Sequence, residues 1–81
     1  MPRGRPAALP RTDLGFALRE RRGTCSVVEA AEQIGISDQM YGRYERGSHP
    51  PRVASAEKIA EWLGAPWTAG AVIDAARRPA E

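Results

Sequence analysis

Two short apolar-periodic segments, residues 26–35 and 37–46, follow one another with only Gly35 and Ile36 at the junction, and this constrains the fold more than any other feature of the chain. The first is opened by Ser26 and Glu29, a Ser-x-x-Glu pattern in which side chain and backbone cap each other reciprocally, and closed by Gly35. The second is opened by Ser37, whose hydroxyl can accept from free N–H groups of a first turn, and closed by Gly47, suited to a left-handed exit. Both segments are therefore expected to be helices, joined too tightly to lie in line.

The second of these helices has two unlike faces. At about 100° per residue, Asp38, Gln39, Gly42, Arg43 and Arg46 fall on one arc roughly 140° wide, and Met40, Tyr41 and Tyr44 fall opposite. Gln can bond bidentately to adenine and Arg to guanine, and a glycine between them lets the backbone approach closely. A solvated helix face would account equally well for these residues taken alone. The preceding helix decides the matter, because two short helices joined through a glycine turn make a helix-turn-helix, whose second helix enters the major groove of DNA.

Residues 14–64 resemble the DNA-binding domain of the Cro and lambda-repressor family, the XRE-type helix-turn-helix. The resemblance rests on Leu14-Gly15 with Leu18-Arg19, on Ser26 with Glu29 and Ala31, and on Ile34-Gly35-Ile36-Ser37 at the turn. It continues through Tyr44-Glu45-Arg46-Gly47, Pro51, Ile59-Ala60 and Leu63-Gly64, in the family's order and spacing. What it implies is an all-α, compact five-helix lambda-repressor-like bundle. Asp38, Gln39, Gly42, Arg43, Arg46 and Arg52 are then the expected DNA contacts. The family also places an ion pair between the first helix and the glutamate matching Glu45, for which Arg21 and Arg22 are both candidates. The sequence departs from the pattern at Val27 and Asp38, where the family commonly has glutamine, at Gly42, often serine or threonine, and at Arg52, usually a small N-cap. Asp38 has two readings, as a favourable charge at a helix start or as an acceptor from cytosine N4.

Around this unit the chain divides into an arm (1–11), a domain (12–78) and a short tail (79–81). Thr12 should cap a helix over Asp13–Arg22, with Leu14, Ala17, Leu18 and Arg21 on one face. A fourth helix is expected over Val53–Leu63, with Val53, Ala56, Ile59, Ala60 and Leu63 inward, and a fifth over 68–77. Core packing is the expectation for Trp62 and Trp67, and a dimer seam is the alternative use for the apolar residues of the fifth helix, Val72 and Ile73. The arm holds three prolines and three arginines, offers little to bury, and is expected to be disordered and basic. Its Pro-Arg-Gly-Arg-Pro run at 2–6 resembles the core of an AT-hook, which would lay Arg3 and Arg5 in an A·T-rich minor groove.

Charge follows the same division. Residues 1–52 carry nine arginines against six acidic residues, a balance of +3, whereas 53–81 carry three basic residues against four acidic ones, or −1. Eleven of the twelve basic residues are arginine, which suits phosphate and guanine recognition and which a GC-rich genome would equally produce.

Other classes lack parts. No nucleophile stands with a base, no phosphate loop is present, and Cys25 and His49 are each the single residue of their kind, so neither an enzyme, nor a metal site, nor a cofactor is expected. No apolar run approaches the roughly 20 residues of a membrane span. The expectation is a cytoplasmic, sequence-specific regulator of double-stranded DNA, a homodimeric repressor or autoregulator. The alternative is an antitoxin-type module that neutralises a partner protein and binds its own promoter.

Overall fold

The computed structural model describes residues 11–79, which form five helices and, among the described residues, no strand: α1 (Asp13–Arg22), α2 (Val27–Ile34), α3 (Asp38–Arg46), α4 (Val53–Leu63) and α5 (Ala69–Arg77). The expected all-α five-helix architecture is thus present. Arg3, Arg5 and the Pro-Arg-Gly-Arg-Pro run lie outside the described residues, as do the last two residues of the tail.

Helix starts are fixed by local chemistry. The hydroxyls of Thr12, Ser37 and Thr68 each accept from a backbone N–H three residues on, at 3.1 Å. Ser26 and Glu29 complete both halves of the capping box, at 3.1 and 3.2 Å. Thr68, expected inside the fifth helix, is its cap. α4 has no side-chain cap, because its N-cap is Arg52. α3 ends at Gly47, φ +82°, where the N–H of Gly47 donates to Tyr44 and that of Ser48 to Arg43, a paired closure that demands a left-handed residue. A Cβ at Gly47 would also stand 2.9 Å from Thr12 Cγ2, so the end of α3 is pressed against the start of α1. That start is tied in turn to the chain after α5, where the Asp13 N–H donates to the Arg78 carbonyl at 3.0 Å.

Leu14, Leu18, Tyr41, Ile59 and Val72 are the largest fully enclosed side chains of the core. Two expectations are corrected here. Val53 is 60 % exposed: it sits at the edge of the inward arc of α4, in the first turn, and Pro51 is the buried residue at that end. Val72 is fully buried within its own chain, because α5 packs on both α4 and α1, so it is not available to a dimer seam. Trp67 and Ile73 pack partly buried against the same core.

The arginine expected on the inward face of α1 is also resolved. Arg21 is exposed, with its guanidinium 5.0 Å from the centre of the Trp62 ring and its Nε–H donating to the Trp62 carbonyl at 3.2 Å. Trp62 itself donates from Nε1 to Gln33 at 2.8 Å and meets Tyr41 edge-to-face at 6.2 Å, so one indole joins four helices. Arg22 is the partner of Glu45, through two parallel bonds of 3.0 and 2.8 Å.

Beside that pair the Tyr41 hydroxyl donates to the Leu18 carbonyl at 3.2 Å. Burial, and then the neighbouring Glu45 carboxylate, hold its phenol well above the ordinary value of 10.0. The unfolded phenol ionises near pH 10 while the folded one keeps its proton, so above that pH the unfolded state binds fewer protons. Stability should therefore be level with respect to this group below pH 10 and fall as pH rises past it. Denaturant titrations across that range should show the decline in the native chain and a shallower one in Tyr41→Phe. Equal declines would place the alkaline sensitivity elsewhere.

Candidate nucleic-acid interface

α3 is held at both ends and along one side. At its entry, Gly35 takes φ +95°, its N–H and that of Ile36 both donate to the Ala31 carbonyl (2.8 and 3.0 Å), and Ser37 caps the next turn. Lys58 reaches from α4 to donate to the Gly35 carbonyl at 3.4 Å, closing the free end of α2. Along its length, Tyr41 (0 % exposed) and Tyr44 (2 %), three residues apart, enter the core and set the rotation of the helix about its axis. Near its exit, the Arg22–Glu45 pair fixes α3 to α1, and Arg22 Nη1 also donates to the Cys25 carbonyl at 3.0 Å.

With the rotation set, Asp38, Gln39, Arg43 and Arg46 stand exposed and Gly42 half-buried between them. These five, together with Val27, line one open concavity of about 380 Å³. The structure thus brings five of the six sequence-predicted residues of the domain onto a single surface. Arg52, exposed at the N-cap of α4, does not line it. Arg3 and Arg5 belong to the undescribed arm.

Two residues gain a role that sequence reasoning missed. Val27 stood out only as a departure from the family pattern, yet it forms the α2 wall of the concavity, with an aliphatic side chain that packs partly on the core and donates no hydrogen bond. Its place immediately after the Ser26 cap, in the helix that precedes α3, was the available signal. Arg11, counted only as the end of the arm, lies beside the exit of α3, its Cβ 3.3 Å from where a Cβ on Gly47 would be. That contact spans more than thirty residues of sequence, and no local pattern announces it.

The chemistry of the face is cationic and donor-rich. Arg43 and Arg46 form no ion pair with any described residue, whereas Arg22 and Arg78 are paired with Glu45 and Asp74. Arg43 makes one weak contact, Nη1 to Met40 Sδ at 3.8 Å, and the Arg46 guanidinium lies over Gly42, Nη1 being 3.2 Å from a Cβ built there. Both guanidiniums are therefore free to engage an external acceptor. Asp38, in the first turn of α3, stands where a carboxylate offsets the positive helix end.

Cys25 is half-buried, and His49 is exposed in the turn after α3, 3.3 Å from the Ser48 hydroxyl. Among the described residues no group of three or more His, Cys, Asp or Glu is placed to hold a metal, and no helix is long and apolar enough to cross a membrane.

The family described as a helix-turn-helix domain matches residues 13–76, from the first residue of α1 to within one residue of the end of α5. No curated protein and no solved structure matches the chain.

Proposed function

The chain belongs to the helix-turn-helix domain family, and from that premise we propose that it is a sequence-specific double-stranded DNA-binding transcriptional regulator of the Cro and lambda-repressor (XRE) type. The observation that carries the reading is the division of α3. Its tyrosines are sealed in the core while Gln39, Arg43 and Arg46 project around one open concavity. A helix needs to be anchored on one side and donor-rich on the other to read a groove.

In this reading α3 lies in the major groove, with Gln39 on an adenine edge and Arg43 on guanine O6 and N7. Arg46 and Arg52 hold phosphates and set the register without reading sequence. Asp38 acts on the helix end. Residues 12–78 are the binding domain, working in the cytoplasm as a homodimeric repressor or autoregulator on two half-sites about 34 Å apart. Selection of bound duplexes from a random pool tests this. A recovered motif with two-fold repetition at that spacing is the expected result, and a bound pool no more ordered than the input would refute sequence reading.

Gly42 gives a separable prediction. It is interior to α3, so alanine should stabilise the fold by about 1 kcal/mol, since the only close neighbour of the new methyl is the movable end of Arg46. The same methyl would occupy the floor of the concavity, where the backbone must approach the bases, and should weaken binding by about fivefold, or roughly 1 kcal/mol. Melting and binding should thus move in opposite directions in Gly42→Ala. If affinity rises together with stability, Gly42 is no point of close approach.

A further inference from the structure

We infer that Val27 reads the C5 methyl group of a pyrimidine in the major groove, so that α2 as well as α3 takes part in choosing the sequence. This deepens the reading of DNA by α3 proposed above and rests on it.

The make-up of the concavity points to the contact. Of the six residues that line it, Asp38, Gln39, Arg43 and Arg46 present charged or amide groups, Gly42 presents backbone, and Val27 alone presents an apolar side chain. Phe16, Val28 and Val53, the large apolar side chains most exposed among the described residues, do not line it. An apolar wall therefore stands at the one place where the donors of α3 converge.

That wall is fixed. Val27 is the first residue of α2, directly after the capping box of Ser26 and Glu29, and its side chain packs partly against the core. A β-branched side chain in a helix is nearly confined to one rotamer, so the methyls of Val27 cannot swing aside as the guanidiniums of Arg43 and Arg46 can.

The groove offers one matching group. Base edges there present acceptors and donors, which Gln39 and Arg43 can bond, and a single apolar feature, the C5 methyl of thymine. 5-Methylcytosine carries the same methyl at the same ring position. A phosphate or a base acceptor pressed against valine would give up water and gain no donor, which is unfavourable. A methyl in the same place removes apolar surface from water on both sides. Burying one methyl should raise affinity about fourfold, or roughly 0.8 kcal/mol. A valine serving the core alone would make no such distinction, and its loss would weaken all sites alike.

The test scans the selected site with the native chain and with Val27→Ala, each thymine being replaced in turn by uracil and each cytosine by 5-methylcytosine. These replacements remove or add only the methyl and keep the base pair. At one position of each half-site the native chain should bind the methyl-bearing pyrimidine about fourfold more tightly than its methyl-free counterpart, and Val27→Ala should bind the two alike. A response to uracil identifies thymine as the source of the methyl, and a response to 5-methylcytosine identifies a methylated cytosine. Each ratio is taken within one protein, so a change of folding stability in the variant cancels. No methyl effect at any position in the native chain, with preferences inside the site retained, would overturn the inference and leave the reading by α3 standing. An effect as large in Val27→Ala as in the native chain would overturn it as well, by placing the methyl against another residue. Loss of all sequence preference by the native chain would overturn both.

Discussion

Glu45→Ala should lower the stability of the domain by about 3 kcal/mol, the largest effect expected of any charged residue here. Glu45 and Arg22 are 16 % and 19 % exposed, so both are largely withdrawn from water, and the pair is closed by two parallel bonds of 2.8 and 3.0 Å. The Glu45 hydrogen bond also holds the Arg22 guanidinium above its ordinary pKa against the opposing effect of burial. Removing the carboxylate leaves the cation without its two-bond partner, held by the Cys25 carbonyl. The residual exposure puts the loss at the lower end of the roughly 3–5 kcal/mol typical of a broken buried pair. In a chain this small that corresponds to a fall in melting temperature of about 12–24 °C. Glu57→Ala, on the exposed side of α4, is the control. If its melting shift equals that of Glu45→Ala, the pair contributes no more than an ordinary surface charge.

Gln39→Ala and Arg43→Ala should each cost about 1–3 kcal/mol on the best site and relax preference at one base position. The two residues are one turn apart on the same exposed face, about 6 Å along the helix. Base pairs repeat every 3.4 Å or so, which sets the relaxed positions about two pairs apart. Arg46→Ala and Arg52→Ala should instead weaken all sequences alike, each lowering the salt slope by about one unit. Titrations of single variants against every single-base variant of the site separate the two patterns. Uniform weakening by Gln39→Ala and Arg43→Ala would mean that α3 grips backbone.

What was legible in the sequence was what is decided within a few residues. Thr12, Ser26 with Glu29, Ser37 and Gly47 mark helix ends because a cap is satisfied by its own neighbours, and the structure places the ends there. The exposed arc of α3 was legible for a related reason: Tyr41 and Tyr44 leave only one way to turn the helix. Choices set between helices were not. Arg21 and Arg22 differ by about 100° around α1, and only the placing of α1 against α3 and α4 sends one to Trp62 and the other to Glu45. Val53 was expected inward and Val72 at a seam, yet Val53 overhangs the first turn of α4 while Val72 is enclosed where α5 packs on its neighbours. The contact of Arg11 with the end of α3 is likewise purely tertiary.

The central claim is that Arg43 reads a base edge, and a cycle between the protein and a single DNA atom tests it most directly. The guanine opposite Arg43 in the selected site is replaced by 7-deazaguanine, which lacks the N7 acceptor and leaves the base pair intact. The native chain should lose about tenfold in affinity and Arg43→Ala nothing, because the acceptor and its donor form one interaction. Arg46→Ala should respond as the native chain does. Equal losses in the native chain and in Arg43→Ala, or no loss in either, would contradict the account.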